Sequence, residues 1–314
     1  MPSVLFIAPA DFGEAILATG ALAYAIEGGA ETTIACAPDQ AELFRATPGL
    51  VQVHRVDPEG GPLKWVETWR TLAQQSFDLI VDARGGVMSK TLRAGRRIAA
   101  EPSSMARHRV LDWTDWMDAP RRLAPVLSID AKARAAALAA VPGTGPLIAL
   151  APGGVRPEKI WPAERFAAVA RRLTDGPLKG ARIVLLAAAA RDAEITAAVA
   201  RSLDADGVRA ADLAGGIDLL DAAALLETAT LALGNDNALT HIAAAVGAPT
   251  LALFGPTDER IRAPYGSRAR ALRGRAYEDI MALAQNGGRS MMLDIGVDAV
   301  EAAALEMLRA GGLG

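Results

Sequence analysis

The chain contains few of the residues that crosslink a protein or hold a metal. Cysteine occurs once, at Cys36, histidine occurs three times, and Phe, Trp and Tyr together make up 4% of the 314 residues. One cysteine permits no internal disulfide, which fits a reducing compartment, and we interpret Cys36 as a small apolar residue of a strand. No group of His, Cys, Asp and Glu has the spacing of a metal site, so we expect none.

Long apolar runs and an excess of basic charge are also absent. No run approaches the roughly 20 apolar residues of a membrane helix. The opening residues lack a basic segment and contain Asp11 and Glu14, so we expect no signal peptide. The net charge of −3 argues against a dedicated nucleic-acid binder. These absences predict a soluble, cytoplasmic protein.

What the chain does contain is enough apolar sequence for two cores. A hydrophobic fraction of 51% over 314 residues fits two domains of ordinary size. The Pro- and Gly-rich run 142–146 is typical of a linker, which predicts domains at 1–141 and 147–314. Apolar strands alternate with helical segments in both halves, which is typical of parallel sheets with helices on both faces. The final helix could pack back on the first domain.

The most informative stretch is 231–258. An apolar strand at 231–233 runs into the turn Gly234–Asn237, and a helix at 238–246 and a second strand at 250–254 follow. The helix therefore begins just past the carboxyl end of a strand, where free N–H groups and the helix dipole attract anions, phosphates above all.

Two polar side chains lie near that helix N-terminus. Asp236 precedes the helix, and His241 comes one turn after Asn237, which can cap it. A single histidine is often a packing residue, and this alternative stays open. We expect Asp236 and His241 to face the ligand-binding cleft rather than the core.

In the first half, polar residues follow two predicted strands, at 11–14 and 82–89. Such loops lie where ligands bind in open parallel sheets. Arg93 and Arg97 would share one face of a helix, which indicates either a solvated face or, together with Arg84, a patch for an acidic or phosphorylated ligand. We further predict one helix over 14–26, an irregular segment at 111–120 and a strand over 182–190.

The stretch GNDNALTHIAAAVGAPTLALFGPT resembles the GNDTGxxHLAAAxGxPTxALFGPT pattern of the ADP-heptose:lipopolysaccharide heptosyltransferase family, glycosyltransferase family 9. Lys159-Ile160-Trp161-Pro162 with Phe166 resembles that family's KxWPxxxF segment. Two departures stand out. Ala238 replaces a glycine, and Val155 lies where relatives often place a hydroxyl residue, so contacts there must come from the backbone.

The resemblance implies a set of donor-binding residues. Lys159 would bind the donor diphosphate, and Asp192 would hold the ribose hydroxyls, although Asp192 could instead cap a helix. The implied donor set is Gly153, Gly154, Lys159, Asp192, Asp236, Asn237, Ala238, Leu239 and His241. The implied acceptor set is Arg84, Arg93 and Arg97.

The resemblance also implies a catalytic carboxylate. Glu14 lies where the family has its proposed catalytic Asp, and its carboxylate reaches one methylene further. Asp11 is the rival candidate, displaced in register. The alternative for Glu14 is an acid in the first turn of a helix, where acids are favoured in any case.

The implied protein is an inverting, metal-independent glycosyltransferase of GT-B architecture, with two doubly wound Rossmann-like domains facing across a cleft. It would move a sugar from an ADP-heptose-like donor to a lipopolysaccharide or other glycan acceptor, without a cofactor. A glycolipid acceptor would bring it to the inner membrane surface. A nucleotide-sugar epimerase on the same scaffold and a catalytically degenerate sugar-binding protein are the alternatives.

Overall fold

The computed structural model describes residues 1–57, 61–102, 106–285 and 291–312. The chain divides into two compact units, Met1–Asp130 and Ala131–Gly314. Each unit is built on its own parallel sheet. The predicted pair of α/β domains is therefore confirmed.

The first unit contains a five-stranded sheet in the order β3-β2-β1-β4-β5, with every pair parallel. Its elements are β1 (Ser3–Ile7), α1 (Phe12–Leu17), α2 (Thr19–Ala25), β2 (Glu31–Cys36), β3 (Leu50–Arg55), α3 (Gly61–Leu72), β4 (Ser76–Asp82), β5 (Arg93–Ala99) and α4 (Arg109–Trp116), with 3₁₀ helices at Pro38–Phe44 and Met88–Thr91.

The central strand β1 is buried on both faces. Phe6 packs into one core cluster, and Leu5 and Ile7 pack into a second cluster on the opposite face. This follows from the two-residue period of a strand and explains why β1 is apolar throughout. Cys36 ends β2 and is buried, and its burial raises the pKa of the thiol to about 12. Its interpretation as an apolar strand residue is confirmed.

Three sequence predictions in this unit need correction. The helix expected over 14–26 is two short helices that meet at Ala18, where the Thr19 hydroxyl donates to the Ile16 carbonyl at 2.7 Å. The arginines expected on a helix lie on β5, an edge strand paired with β4. The segment expected to be irregular contains α4, which His108 caps by accepting from the Val110 N–H.

The second unit contains a six-stranded sheet in the order β11-β10-β9-β6-β7-β8, again parallel. Its elements are α5 (Ala131–Ala140), β6 (Leu147–Ala151), α6 (Ala163–Asp175), β7 (Arg182–Leu185), α7 (Ala193–Ala205), β8 (Ala210–Asp212), α8 (Leu219–Glu227), β9 (Leu231–Asn235), α9 (Ala238–Ala245), β10 (Thr250–Leu253), α10 (Glu259–Arg262), β11 (Ala269–Leu272), α11 (Tyr277–Gln285) and α12 (Val297–Ala310), with 3₁₀ helices at Pro157–Lys159 and Ala190–Asp192.

Helix α5 marks where the two units divide. It packs against α8, and Arg134 forms a bidentate ion pair with Glu227 at 2.9 and 3.0 Å. Contacts therefore assign α5 to the second unit, whereas the linker-like run 142–146 predicts a boundary after it. That run instead connects α5 to β6 within one unit.

The last helix, α12, packs on α6 within its own unit. The Arg172 guanidinium joins the two helices through Asp298 and Glu301, both at 2.7 Å. Strand β7 ends at Leu185, earlier than the predicted end at 190, and a 3₁₀ helix begins at Ala190 after four residues without regular structure. In the described part of the chain, no helix has the length and apolarity needed to cross a bilayer.

Candidate functional site

The site in the second unit is built around Asn235, the last residue of β9. Its side chain is fully buried and donates to the Pro152 carbonyl at 2.6 Å. Its amide oxygen accepts from the Trp161 N–H at 3.2 Å. Asn235 therefore ties the end of β9 to the loop after β6, which carries Lys159.

Asn237 holds the N-terminus of α9. Its side-chain oxygen accepts from the N–H groups of Leu239 and Thr240 at 2.9 and 3.3 Å, which confirms the predicted cap. Its amide nitrogen donates to the carbonyls of Ala151 and Gly153 at 2.8 and 3.0 Å. One side chain therefore joins the helix start to the loop after β6. The resemblance implies that Leu239 contacts the nucleotide-sugar donor, but its N–H already donates to the Asn237 side chain.

Lys159, Asp236 and His241 form one charged cluster beside that helix start. Lys159 Nζ lies 2.7 Å from Asp236 Oδ2, and His241 Nε2 lies 3.8 Å from Asp236 Oδ1, which is beyond hydrogen-bond range. His241 and Asp236 are buried, with 4% and 9% of their surface exposed. That they face the ligand-binding cleft stays a prediction. Lys159 is the more accessible member, since 18% of its side chain is exposed.

The electrostatics of Asp236 follow from this arrangement. Burial would by itself raise the pKa of the carboxyl, but the His241 ring and the Lys159 ammonium outweigh it and hold the pKa well below its usual range. Asp236 is therefore a fixed negative charge that keeps the Lys159 ammonium at the helix N-terminus. His241 Nδ1 is buried and has no hydrogen-bond partner among the described residues.

Asp192 supports the loop after β6 instead of capping α7. It occupies the N-cap position, but its side chain makes no capping bond there. Asp192 Oδ1 accepts from the Gly154 N–H at 3.2 Å, and burial raises the pKa of the carboxyl. Gly153 lies so close that a Cβ there would be 2.4 Å from Asp192 Cγ. The structure therefore brings Asp192, Gly153 and Gly154 together.

Beside this loop is a cavity of about 430 Å³. A volume of this size is within the roughly 300–1,000 Å³ typical of small-molecule sites. Its lining includes Gly154, Val155, Ile160, Arg191, Asp192 and Arg201.

In the first unit, Glu14 and Asp11 play different parts. Asp11 caps α1, because its Oδ1 accepts from the Glu14 N–H at 2.9 Å. Glu14 Oε2 lies 3.1 Å from Arg109 Nε, and 14% of the Glu14 side chain is exposed. Asp11 thus has a structural role that Glu14 does not share.

Arg109 belongs to a chain of ion pairs that starts at Glu14. Its second guanidinium nitrogen contacts Asp112 Oδ2 at 2.8 Å, and Arg107 contacts Asp112 Oδ1 at 2.7 Å. Asp112 is 1% exposed, so its two arginine partners offset the cost of its burial. The sequence does not predict the Arg109–Glu14 ion pair. The only sequence signal is the cluster of charged residues at 107–115, which indicates that ion pairs form there.

The three arginines of the implied acceptor set have different surroundings. Arg93 donates to the Ala73 carbonyl at 2.9 Å, and Arg97 donates to the carbonyls of Ser89 and Leu92 at 2.8 and 2.7 Å. Arg84 lies over the Trp65 ring, 4.5 Å from its centroid. Arg93 and Arg97 share a side of β5 through its two-residue period, not through a helix. Acceptor binding by all three stays a prediction.

The fold and these sites together define a class of protein. The chain contains two Rossmann-like parallel α/β units. At the carboxyl edge of the second sheet, Lys159 lies beside the capped N-terminus of α9. These features correspond to the GT-B class. The model of glycosyltransferase family 9 (heptosyltransferase) matches residues 93–284, and the chain belongs to that family.

Individual relatives agree with this assignment. The chain is 33% identical over 134 residues to lipooligosaccharide heptosyltransferase 2 of Haemophilus influenzae, a match that covers 42% of this chain and 37% of that protein. This match therefore spans little more than a third of the relative's length.

Solved structures match over nearly the full chain. A family 9 glycosyl transferase from Veillonella parvula has a TM-score of 0.82 at 20% identity, with 98% of both chains covered. The ADP-heptose lipopolysaccharide heptosyltransferase II of Escherichia coli has a TM-score of 0.76 at 19% identity, with 99% of both covered. At these identities the matches show the shared fold.

Proposed function

We propose that this protein is a heptosyltransferase-type glycosyltransferase, inverting and metal-independent, which transfers a sugar from an ADP-heptose-like donor to a lipopolysaccharide or related glycan acceptor. The observation that carries the proposal is the Lys159–Asp236 pair beside the capped N-terminus of α9. Family membership and the name of the Escherichia coli relative support the choice of donor.

The second unit would bind the donor diphosphate. The Lys159 ammonium and the positive end of the α9 helix dipole would stabilise the negative charge that develops on the leaving diphosphate. This role needs a cation held in place before the reaction, and Asp236 provides that restraint at 2.7 Å. Asp192 would hold the ribose hydroxyls beside Gly154.

The first unit would bind the acceptor and supply the base. In this mechanism Glu14 accepts the proton of an acceptor hydroxyl, whose oxygen attacks the anomeric carbon. The bond between that carbon and the diphosphate oxygen then breaks, with inversion at carbon. Asp11 is the weaker candidate because its carboxylate already caps α1.

The protein would work in the cytoplasm. A glycolipid acceptor would hold it at the inner membrane surface. The reaction needs no cofactor, since the nucleotide-sugar is a substrate.

The direct test supplies purified protein with ADP-heptose and heptose-deficient lipopolysaccharide, and follows ADP release and acceptor mass. We expect an acceptor heavier by one heptose. Glu14→Gln should reduce turnover by about 10²–10⁴-fold, the range for a positioned base, and leave donor binding unchanged. Glu14→Asp should keep or raise activity.

Three results would count against the proposal. Donor turnover without acceptor would favour an epimerase. Binding without turnover of any nucleotide-sugar would favour a sugar-binding protein. Full activity of Glu14→Gln with an inactive Asp11→Asn would transfer the base role to Asp11.

A further inference from the structure

The loop that carries Lys159 is held from two sides. On one side, Asn235 at the end of β9 accepts from the Trp161 N–H at 3.2 Å. On the other side lies the 291–296 segment, a short turn directly before α12, in which the Ile295 N–H donates to the Met292 carbonyl at 3.2 Å. Ile295 is 134 positions from Trp161 along the chain, so only the tertiary fold brings the segment to this loop.

Trp161 makes the first contact with the 291–296 segment. Its side chain is fully buried, and the indole N–H donates to the Ile295 carbonyl at 2.9 Å. A buried indole N–H needs an acceptor, and here the acceptor is a backbone carbonyl of the segment. The Trp161 ring also meets Phe166 edge to face, with the centroids 4.9 Å apart. Trp161, two residues after Lys159, is therefore fixed both to β9 and to the segment.

Arg165 makes the second contact, from the first turn of α6. Its Nη1 donates to the carbonyls of Leu293 and Ile295 at 2.7 and 2.8 Å. The Ile295 carbonyl therefore accepts from both Trp161 and Arg165. Hydrogen bonds from a charged donor are about twice as strong as neutral ones, so the guanidinium strengthens the attachment at the point where the indole is bonded.

The 291–296 segment also contacts the loop after β10. Met292 is fully buried and belongs to the same core cluster as Trp161. A Cβ placed on Gly255 would lie 2.6 Å from Met292 Sδ and 3.4 Å from the Glu158 carbonyl oxygen. Gly255 is therefore packed between the segment and the residue that precedes Lys159.

Little freedom remains between these contacts and Lys159. Lys159 ends a 3₁₀ helix, and its N–H donates to the Arg156 carbonyl at 3.0 Å. Only Ile160 separates Lys159 from Trp161, and Pro162 follows with its φ angle fixed by the ring. A displacement of Trp161 therefore moves the backbone of Lys159.

We propose that the 291–296 segment is a brace that sets the position of the Lys159 ammonium, with Trp161 and Arg165 as positioning residues. Both act through the backbone of the loop after β6 rather than by contact with the donor. This inference rests on the proposed binding of the donor diphosphate by Lys159, but the position of Lys159 can be measured without a nucleotide.

The first test measures the chemical reactivity of Lys159. Its Nζ lies 2.7 Å from Asp236, and only 18% of its side chain is exposed, so its acetylation requires displacement of the carboxylate partner. The full chain is treated with a small amount of acetic anhydride, and peptide mass spectrometry gives the rate at Lys159 relative to exposed Lys179. We expect Arg165→Met to raise this ratio about threefold or more, because the ion pair is loosened.

Arg172→Met is the matched control. Arg172 also lies on α6 and also binds the C-terminal part of the chain, but it contacts Asp298 and Glu301 of α12, both at 2.7 Å, instead of the brace. This variant should leave the reactivity of Lys159 unchanged. An equal increase in both variants would assign the effect to a general loosening of α6, and no increase in Arg165→Met would overturn the brace.

Trp161→Phe tests the indole contact in the same assay. The Ile295 carbonyl keeps its bond to Arg165 in this variant, so no buried acceptor is left unpaired. Phe166→Leu, which removes volume from the same core cluster but no bond to the brace, is the control. We expect Lys159 to react faster in Trp161→Phe alone, and thermal melts show that both variants fold. Equal reactivity in the two variants would reject the role of Trp161.

ADP binding tests the consequence for the proposed donor site. In isothermal titration calorimetry, Arg165→Met should bind ADP about three- to tenfold more weakly than wild type, because a displaced ammonium loses part of a charge-assisted bond. In a Lys159→Met background, Arg165→Met should cause little further loss, since the ammonium that it positions is gone. An equal loss in both backgrounds would reject the positioning role.

The two proposals fail in different ways. If the wild-type protein does not bind ADP, the proposed donor site fails, and the reactivity of Lys159 still decides whether the brace exists. If ADP binds and Arg165→Met changes neither the reactivity of Lys159 nor the affinity for ADP, the brace alone is rejected.

Discussion

At the scale of single residues, the Lys159 ammonium, which we propose binds the donor diphosphate, is already paired with the Asp236 carboxylate. Lys159 and Asp236 lie 2.7 Å apart, and the Asp236 carboxylate is 9% exposed. Removing one partner of such a pair leaves the other charge without compensation in a poorly solvated place. Variants at Lys159 therefore need a stability control beside every binding measurement.

Lys159→Met should weaken ADP binding by about 1.5–3 kcal/mol, the range for a hydrogen bond to a charged group. Methionine keeps most of the apolar stem and removes the ammonium. Isothermal titration calorimetry measures the change, and Lys179→Met, at an exposed lysine of the same unit, is the matched control. Equal ADP affinity of wild type and Lys159→Met would exclude Lys159 from the donor site.

Asp236 should give the protein a pH-dependent part of its stability. Because the pKa of this carboxyl is lowered in the folded state, its contribution is present above the unfolded pKa of about 3.9 and is lost as the pH falls toward the folded value. The free energy of unfolding should therefore differ most between wild type and Asp236→Asn above about pH 5, and the difference should shrink below about pH 4.

Urea unfolding at pH 3, 4, 5 and 7 measures this difference. A constant gap between wild type and Asp236→Asn over that range would mean that Asp236 does not contribute through its charge.

Arg109 should act as a positioning residue for Glu14. Its Nε lies 3.1 Å from Glu14 Oε2, and Asp112 fixes the other side of the guanidinium. We expect Arg109→Gln to lower kcat by about 10–100-fold through misplacement of the carboxylate, with little change in the acceptor KM. Arg121→Gln, which removes an exposed ion pair with Glu27 in the same unit, is the control.

A double variant separates positioning from folding. In a Glu14→Gln background, Arg109→Gln should cost little further activity, because the carboxylate that it positions is gone. Additive losses, or a loss that Arg109→Lys does not partly restore, would contradict the positioning role.

At the scale of elements, the capped start of α9 is the feature on which the donor site depends. Asn237 accepts from two N–H groups of the helix and donates to two carbonyls of the loop after β6. A cap alone contributes about 1 kcal/mol, and the two carbonyl bonds add to that. Asn237 therefore holds the start of α9 and the loop after β6 together.

Asn237→Ala should lower the free energy of unfolding by more than about 1 kcal/mol, and Asn237→Asp should cost less, because it keeps the capping oxygen. Urea unfolding measures both. Asp218→Ala is the control, since Asp218 holds the N-cap position of α8 without a capping bond. Similar losses for Asn237→Ala and Asp218→Ala would show that the bonds to α9 and the loop contribute little.

Elements with strong local patterns could be predicted from the sequence, and those decided by tertiary contacts could not. Strand β10 carries an apolar run and helix α9 a capped start, and both begin where predicted and end within one residue of the prediction. The arginine spacing at 93–97 suits a helix and a strand equally, and pairing with β4 decides for the strand. Helix α4 depends on the burial of Trp113 in the first core, which no local pattern reveals.

The candidate site divides in the same way. The residues Lys159, Asp236 and Asn237 come from contiguous patterns, and the structure brings them together. The partner of Glu14 is Arg109, ninety-five positions further along the chain, so no spacing rule could pair them. The burial of Asp236 and His241 could not be predicted, because a motif gives residue types but not the side chains that cover them.

At the scale of the whole molecule, the chain divides into two units, and the division falls just before α5. Ala133 and Ala137 of that helix are buried, and Arg134 pairs with Glu227 of α8. The alanine-rich helix thus covers an apolar helix, α8, whose residues 222–226 are buried. The second unit needs α5 as part of its own surface.

A fragment that comprises residues 131–314 should fold, and a fragment that comprises 147–314 should be less stable. The shorter fragment loses α5 and exposes the buried face of α8, which favours aggregation. Thermal melts and light scattering of the two fragments measure the difference. Equal melting temperatures and equal solubility of the two fragments would support a domain boundary at 142–146, as predicted from the sequence.

Gly153 and Asp192 limit the order in which this protein can change over generations. A methyl group at 153 would lie 2.4 Å from the Asp192 carboxyl carbon, so alanine there requires the Asp192 side chain to move. That movement would disturb its bond to the Gly154 N–H. In a lineage where residue 192 had first become smaller, a side chain at 153 would meet no such clash, so we expect the two positions to change together, with 192 first.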